Sequence, residues 1–159
     1  MLIIGIDPGA KGGIAGVGDG KPWALPLPMS GNEVNAHGLA AILRVYPGSM
    51  CIVEKQQVFG IEGRVSCFTT GQGYGAILGV LGALGVQTEL VLPPAWKKAV
   101  LAGTLKDKGA AIAYCGRAFP SVPLVLPPKR TPSDGMADAL CIAAWGYRTF
   151  ATKPSASPA

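Results

Sequence analysis

Short runs of apolar residues, each closed by glycine, proline, aspartate or glutamate, recur along the chain. Such runs are typical of β-strands, and they predict strands at 2–6, 14–17, 23–27, 50–53 and 89–92. Gly18-Asp19-Gly20 lies between the second and third runs and predicts a hairpin turn. The first three strands should therefore form an antiparallel meander.

Apolar residues at helical spacing predict the remaining elements, which are helices at 34–46, 66–84, 106–119 and 134–150 and a short helix carrying residues 96–98. Ser133 is a suitable N-cap for the last of them. The helix at 66–84 contains many glycines, each costing roughly 1 kcal/mol relative to alanine. Close packing or close approach to a ligand would account for them.

This order of elements predicts an α/β layer architecture. The chain has 159 residues, of which 49% are hydrophobic and 14% charged, so it is long enough for one domain with a real core. We place that domain at residues 1–150 and expect a disordered tail at 151–159.

Composition also limits the cellular setting. No secretory signal is visible, and the longest apolar and glycine run, 76–86, is shorter than the ~18 residues that a membrane span requires. The four cysteines form no CxxC pair, which favours reduced, buried thiols over a zinc ribbon or redox motif. We expect a soluble protein without a membrane partner, located in the cytoplasm, or in the host cytoplasm if a phage encodes it; an organellar location stays open.

The single histidine, His37, restricts the chemistry most. Zinc sites built from several histidines are excluded, and so is a serine or cysteine nucleophile paired with histidine unless His37 serves alone. Polar chemistry in this chain should therefore depend on carboxylates.

The nine acidic residues fall into two groups. Five lie in polar, turn-like or strand-opening positions typical of solvated charges: Asp19, Glu33, Glu62, Glu89 and Asp107. The other four are candidate site residues: Asp7, Glu54, Asp134 and Asp138.

Asp7 and Glu54 each end an apolar strand, where an unpaired carboxylate is costly to desolvate. Asp138 lies in the most apolar helix, and Asp134 lies four residues earlier on the same face. Two simpler roles stay open, since Asp134 could complement its helix dipole and Asp7 could cap the turn at Pro8-Gly9. If the strands are neighbours and the helix crosses their ends, the four carboxylates converge.

Oxygen ligands of this kind suit Mg²⁺ or Mn²⁺ rather than zinc. Two such ions could hydrolyse a phosphodiester. The formal net charge of +5 suits a nucleic-acid partner, and local basic pairs occur at Lys97-Lys98, Lys106/Lys108 and Lys129-Arg130.

Four segments carry a family resemblance: IIGIDPGAKGGIA, CIVEKQQVFG, GQGYGAILG and SDGMADALCIAAWG. In this order they resemble the RuvC family of Holliday junction resolvases, most closely its phage and organellar branch. The resemblance extends from residue 3 to about residue 147. It implies an RNase H-like fold with a mixed five-stranded sheet flanked by helices.

The resemblance also implies a homodimer that cuts four-way DNA junctions by paired symmetric nicks, using Mg²⁺, for which Mn²⁺ can substitute, at two ions per site. Asp7, Glu54, Asp134 and Asp138 match the family's catalytic, metal-binding acids, and the segment 71–79 matches its dimer and DNA-facing helix. The resemblance suggests that Phe59 wedges against bases at the junction centre. The basic residues that we expect at the DNA are Arg64, Lys97, Lys98, Lys106, Lys108, Lys129 and Arg130.

Two features depart from many bacterial members: the final-helix acids are four rather than three residues apart, and Phe59 lies further from Glu54. Three other functions compete with a resolvase. They are a less selective nuclease acting on forks, flaps or hybrids, a non-catalytic junction-binding dimer, and an actin-like ATPase fragment. The last would need a second domain that 159 residues cannot supply.

Overall fold

The computed structural model describes residues 1–57, 63–103 and 109–151. Seven strands are present in this part of the chain: β1 Leu2–Asp7, β2 Gly13–Gly18, β3 Trp23–Pro26, β4 Met29–Ser30, β5 Glu33–Val34, β6 Met50–Glu54 and β7 Gln87–Val91. The helices are α1 Ala36–Arg44, α2 Arg64–Ala83, α3 Pro93–Val100, α4 Ala110–Ala118 and α5 Asp134–Gly146, and a π-helical turn follows at Tyr147–Ala151.

Five strands form one mixed sheet in the order β3-β2-β1-β6-β7. The β1–β2 and β2–β3 pairs are antiparallel, whereas β1–β6 and β6–β7 are parallel. The predicted meander and mixed five-stranded sheet are therefore confirmed. The α/β connections between β1, β6 and β7 place helices on both faces, as parallel strands require.

Strand alternation divides the core into two layers. Ile3, Met50 and Ile52 belong to a cluster with α3, α4 and α5. Ile4 and Val53 belong to a second cluster with α1 and α2. Side chains at positions 3, 5 and 7 of β1 share one face, and so do those at 50, 52 and 54 of β6. Asp7 and Glu54 therefore point to the face that α5 covers.

Helix α5 lies very close to the sheet. A side chain at Gly5 would collide with the Ala139 carbonyl oxygen and the Ala143 nitrogen, and Gly12 forms an isolated bridge with Gly135. Glycine alone permits such an approach of backbone to backbone. The approach brings the first turns of α5 to the ends of β1 and β2.

The predicted helices differ from the structure mainly at their ends. The pattern from residue 34 predicts one helix, but Met29–Ser30 and Glu33–Val34 form a small hairpin and α1 begins only at Ala36. The final helix changes to a π-helical turn after Gly146. Ser133 caps α5 as predicted, since its Oγ accepts a hydrogen bond from Met136 N at 3.3 Å.

Ala151 is the last residue of the π-helical turn. Residues 152–159 lie outside the described residues, so the disordered tail stays a prediction. Within the described residues no cysteine forms a disulfide; Cys51, Cys115 and Cys141 are buried, as predicted, whereas Cys67 is half-buried. Within the described ranges, no helix has both the length and the apolar character needed to cross a membrane.

Candidate carboxylate site

Three of the four predicted acids meet at one edge of the sheet. The β1–β6 register pairs Ile6 with Val53. Asp7 and Glu54 are the next residues of these two parallel strands, so they lie side by side. Asp138 comes from the second turn of α5 and interacts electrostatically with both. All three are partly buried, which is an unusual position for carboxylates unless a counter-charge is near.

The pKa of each of these carboxyl groups is raised, first of all by burial. Asp138 shows the largest effect: desolvation, followed by repulsion from Asp7, raises its pKa from 3.8 to about 7, although Lys97 acts in the opposite direction. Repulsion from Glu54 and, last, Asp134 adds to the rise. Three like charges placed this close together disfavour full ionisation, which is typical of a site built to receive a cation.

Asp7 has a second role. Its Oδ1 accepts a hydrogen bond from the Gly9 backbone nitrogen at 3.1 Å, so it also closes the turn after β1. That bond and Lys97 both oppose the rise in pKa that burial causes. Turn capping and membership of the acidic cluster therefore occur together in one side chain.

Asp134 is placed differently from the other three. It is the first residue of α5 and is exposed, so it lies where a carboxylate complements the positive end of the helix. Its repulsion is the weakest of the contributions to the pKa of Asp138. Asp134 thus stands at the rim of the cluster, whereas Asp138 stands inside it.

Lys97 lies close enough to the cluster to lower the pKa of Asp7, Glu54 and Asp138. It is on α3, which follows β7 and packs on the same face of the sheet as α5. Its neighbour Trp96 is fully buried, and the indole Nε1 donates a hydrogen bond to Glu54 Oε2 at 2.7 Å. The sequence pattern revealed neither contact, because it does not show which way a short helix faces.

The donor chemistry of the cluster fits a hard divalent cation, since every available ligand atom is a carboxylate oxygen. Among residues 1–57, 63–103 and 109–151, however, no three acidic, histidine or cysteine side chains lie close enough together to hold one ion. The carboxylates would have to turn towards a common point. His37 cannot assist, because it is exposed on α1, on the opposite face of the sheet.

The predicted DNA-contacting residues are spread over several elements. Arg64 begins α2, Lys98 follows Lys97 on α3, and Lys129 and Arg130 lie in the loop before α5; all are exposed. Phe59, Lys106 and Lys108 lie outside the described residues. Of the predicted basic residues that the structure describes, Lys97 interacts with Asp7, Glu54 and Asp138.

A mixed sheet in the order 3-2-1-6-7, crossed by a helix that brings acids to the ends of β1 and β6, defines the RNase H-like class of α/β fold. One particular protein with which the chain shares this fold is RuvC of Thermus thermophilus. One RuvC structure, in complex with a Holliday junction substrate, has a TM-score of 0.66, 23% sequence identity and coverage of 91% of this chain and 92% of that one.

A second structure of Thermus thermophilus RuvC has a TM-score of 0.61 and 24% identity, covering 94% of this chain and 96% of that one. No protein-family model and no curated protein matches the chain. The chain therefore has the fold of RuvC over nearly its whole length. The likeness shows the fold alone, so the function of the site has to be argued from the positions of Asp7, Glu54 and Asp138.

Proposed function

We propose that this chain is a Holliday junction resolvase, a metal-dependent endodeoxyribonuclease that cuts four-way DNA junctions by paired symmetric nicks. The observation that carries the proposal is the partly buried cluster of Asp7, Glu54 and Asp138 at the edge of the sheet. The choice of substrate is supported by the likeness of the whole chain to RuvC, one structure of which contains a Holliday junction substrate.

Asp7, Glu54 and Asp138 would hold two Mg²⁺ or Mn²⁺ ions, with Asp134 contributing from the rim. When bound, such ions activate water and stabilise the leaving oxygen of a phosphodiester. The carboxylates supply oxygen ligands and a partly desolvated setting in which charge acts strongly. A phosphate would bring further negative charge to this edge.

Lys97 offers the compensation that such a phosphate requires. Its ammonium group is the cation that lowers the pKa of all three clustered carboxyl groups, and it is exposed to solvent. A lysine at this position would stabilise charge that develops on the phosphate during hydrolysis. Lys98, Lys129, Arg130 and Arg64 would contact flanking phosphates.

Paired symmetric nicks require two sites related by a two-fold axis, so we propose that the chain acts as a homodimer. Helix α2 offers the surface, since Val65 and Phe68 are 80% and 71% exposed. Large apolar side chains on one exposed helix face are typical of a contact surface.

The test is cleavage of a four-way junction, a fork, a flap and an RNA–DNA hybrid under one Mg²⁺ condition. Asp7→Asn and Glu54→Gln should bind the junction but cut it roughly 100-fold or more slowly, because each removes an ionised ligand. Asp19→Asn is the matched control, since Asp19 is 78% exposed and lies away from the site. It follows Gly18, which pairs with Leu2 at the opposite end of β1 from Asp7.

Full cleavage by Asp7→Asn or Glu54→Gln would contradict the assignment of the site. Equal cutting of all four substrates would instead identify a less selective nuclease. Junction binding without cutting by the unaltered protein, at any Mg²⁺ or Mn²⁺ concentration, would identify a non-catalytic junction-binding protein.

A further inference from the structure

Trp96 contacts two charged groups of the carboxylate site at once. Its indole Nε1 donates to Glu54 Oε2 at 2.7 Å, and the Lys97 Nζ lies 5.1 Å from the centre of the Trp96 ring. The side chain itself is fully buried. A buried tryptophan needs only one hydrogen-bond partner to be satisfied, and here that partner is a site carboxylate rather than a backbone carbonyl.

The hydrogen bond holds Glu54 in a particular way. An indole N–H can only donate, so it fixes one carboxylate oxygen without competing as a ligand and leaves the other oxygen available to a cation. The bond also favours the ionised carboxylate, acting against the burial that raises the pKa of Glu54. Ligating carboxylates in proteins are commonly held by outer hydrogen bonds of this kind.

The ring has a separate effect on Lys97. A cation over the face of a tryptophan ring is attracted by the ring quadrupole, which favours a position of the ammonium close to the cluster. Trp96 and Lys97 are neighbours on α3, and Pro93 and Pro94 begin that helix. A short helix with a proline start therefore presents both residues to the end of β6.

We propose that Trp96 is a positioning residue of the carboxylate site, which fixes one oxygen of Glu54 through its indole N–H and holds the Lys97 ammonium over its ring. This inference rests on the proposed metal-dependent nuclease function. It adds that the cation affinity of the site depends on a hydrogen-bond donor that is not itself a ligand.

The contact can be measured without catalysis. The chain contains three tryptophans, so ¹⁵N–¹H spectra show three indole signals, and Trp23→Phe and Trp145→Phe assign the Trp96 signal by elimination. We expect Glu54→Gln to shift the Trp96 signal and leave the other two in place. We also expect Mn²⁺ to broaden the Trp96 signal first, because paramagnetic broadening falls steeply with distance.

The cleavage experiment uses Trp96→Phe, which keeps an aromatic ring but removes the indole N–H that donates to Glu54. Its half-saturating Mg²⁺ concentration for junction cleavage should rise roughly 10–100-fold, the usual effect of losing an outer hydrogen bond to a metal ligand. Its junction affinity without metal should not change. Trp23→Phe is the matched control, since the Trp23 Nε1 is buried with no hydrogen-bond partner in the described part of the chain.

The outcomes separate the two proposals. A Trp96 signal that stays in place in Glu54→Gln, or a Trp96→Phe variant with unaltered Mg²⁺ dependence, overturns the positioning role while junction cutting by the unaltered protein still supports the function. If Mn²⁺ broadens none of the indole signals and no junction is cut, the proposed function fails and this inference fails with it. The spectra of the unaltered protein and of Glu54→Gln decide the question even if Trp96→Phe does not fold.

Discussion

Glycines lie both at the contact between α5 and the sheet and along α2, but their surroundings differ. Where α5 crosses the sheet, a side chain at Gly5, Gly13 or Gly135 would collide with backbone atoms. Along α2, a side chain added at Gly75 or Gly79 would meet nothing within 4 Å. Packing therefore requires glycine where α5 meets the sheet. In α2, no contact within one copy of the chain explains Gly75 or Gly79.

The difference shows how the fold positions the site. Close contact between α5 and β1 brings Asp138 to Asp7 and Glu54, and ten residues of α5 are buried. In α2 only Ile77 and Leu81 are buried, out of 20 residues. The burial of α5 therefore places an acid in the site, whereas α2 keeps an open face that suits the proposed second copy.

The largest expected effect on the free energy of unfolding comes from adding one methyl group at the α5–sheet contact, and the matching change is one methyl group added in α2. Gly5→Ala should lower the free energy of unfolding by about 3 kcal/mol, the upper end for overpacking, because the atoms it meets belong to the backbone of α5. Gly79→Ala should instead raise it by up to about 1 kcal/mol, as alanine favours helix. Denaturant unfolding measures both, and equal effects would remove the distinction between the two helices.

The next effect concerns the buried end of α5. Burial, followed by repulsion from Asp7, raises the pKa of Asp138 from its ordinary 3.8 to about 7 in the folded protein, so between these pH values the folded state binds more protons than the unfolded state. Without divalent ions, stability should therefore fall as pH rises from about 4 to about 7.

Asp138→Asn should flatten this pH dependence and stabilise the metal-free protein at pH 7 by about 1–2 kcal/mol, less than the full linkage value because Asp138 is partly solvated. Added Mg²⁺ should stabilise the unaltered protein more than this variant. Thermal unfolding across pH is the measurement. An unaltered pH dependence in Asp138→Asn would show that Asp138 is not the group that titrates.

The smallest effect on stability belongs to the open face of α2. Phe68→Ser should change the free energy of unfolding by no more than about 0.5 kcal/mol, since Phe68 is 71% exposed and surface substitutions are usually neutral. Sedimentation should nevertheless show weaker self-association. Val45→Ser is the control, because Val45 is 67% exposed but follows α1. Dimers that persist in Phe68→Ser would place the interface elsewhere.

Local sequence determined much of this protein. The apolar runs that end at Asp7 and Glu54 mark the strands, and alternation along β1 and β6 decides that both acids share a face. Ser133 marks the start of α5. These features depend on residues close together in the chain, so a pattern of neighbouring residues is sufficient to find them.

Tertiary structure decided the rest. Only the approach of α5 over Gly5 separates Asp138, inside the cluster, from Asp134 at its rim, although the two share a helix face in the sequence. Only the packing of α3 against the end of β6 brings Trp96 and Lys97 to Glu54, over 40 residues away along the chain. Desolvation and charge interactions act through space, so the chemistry of these carboxylates is set by which elements pack together, and periodicity within one element does not contain that information.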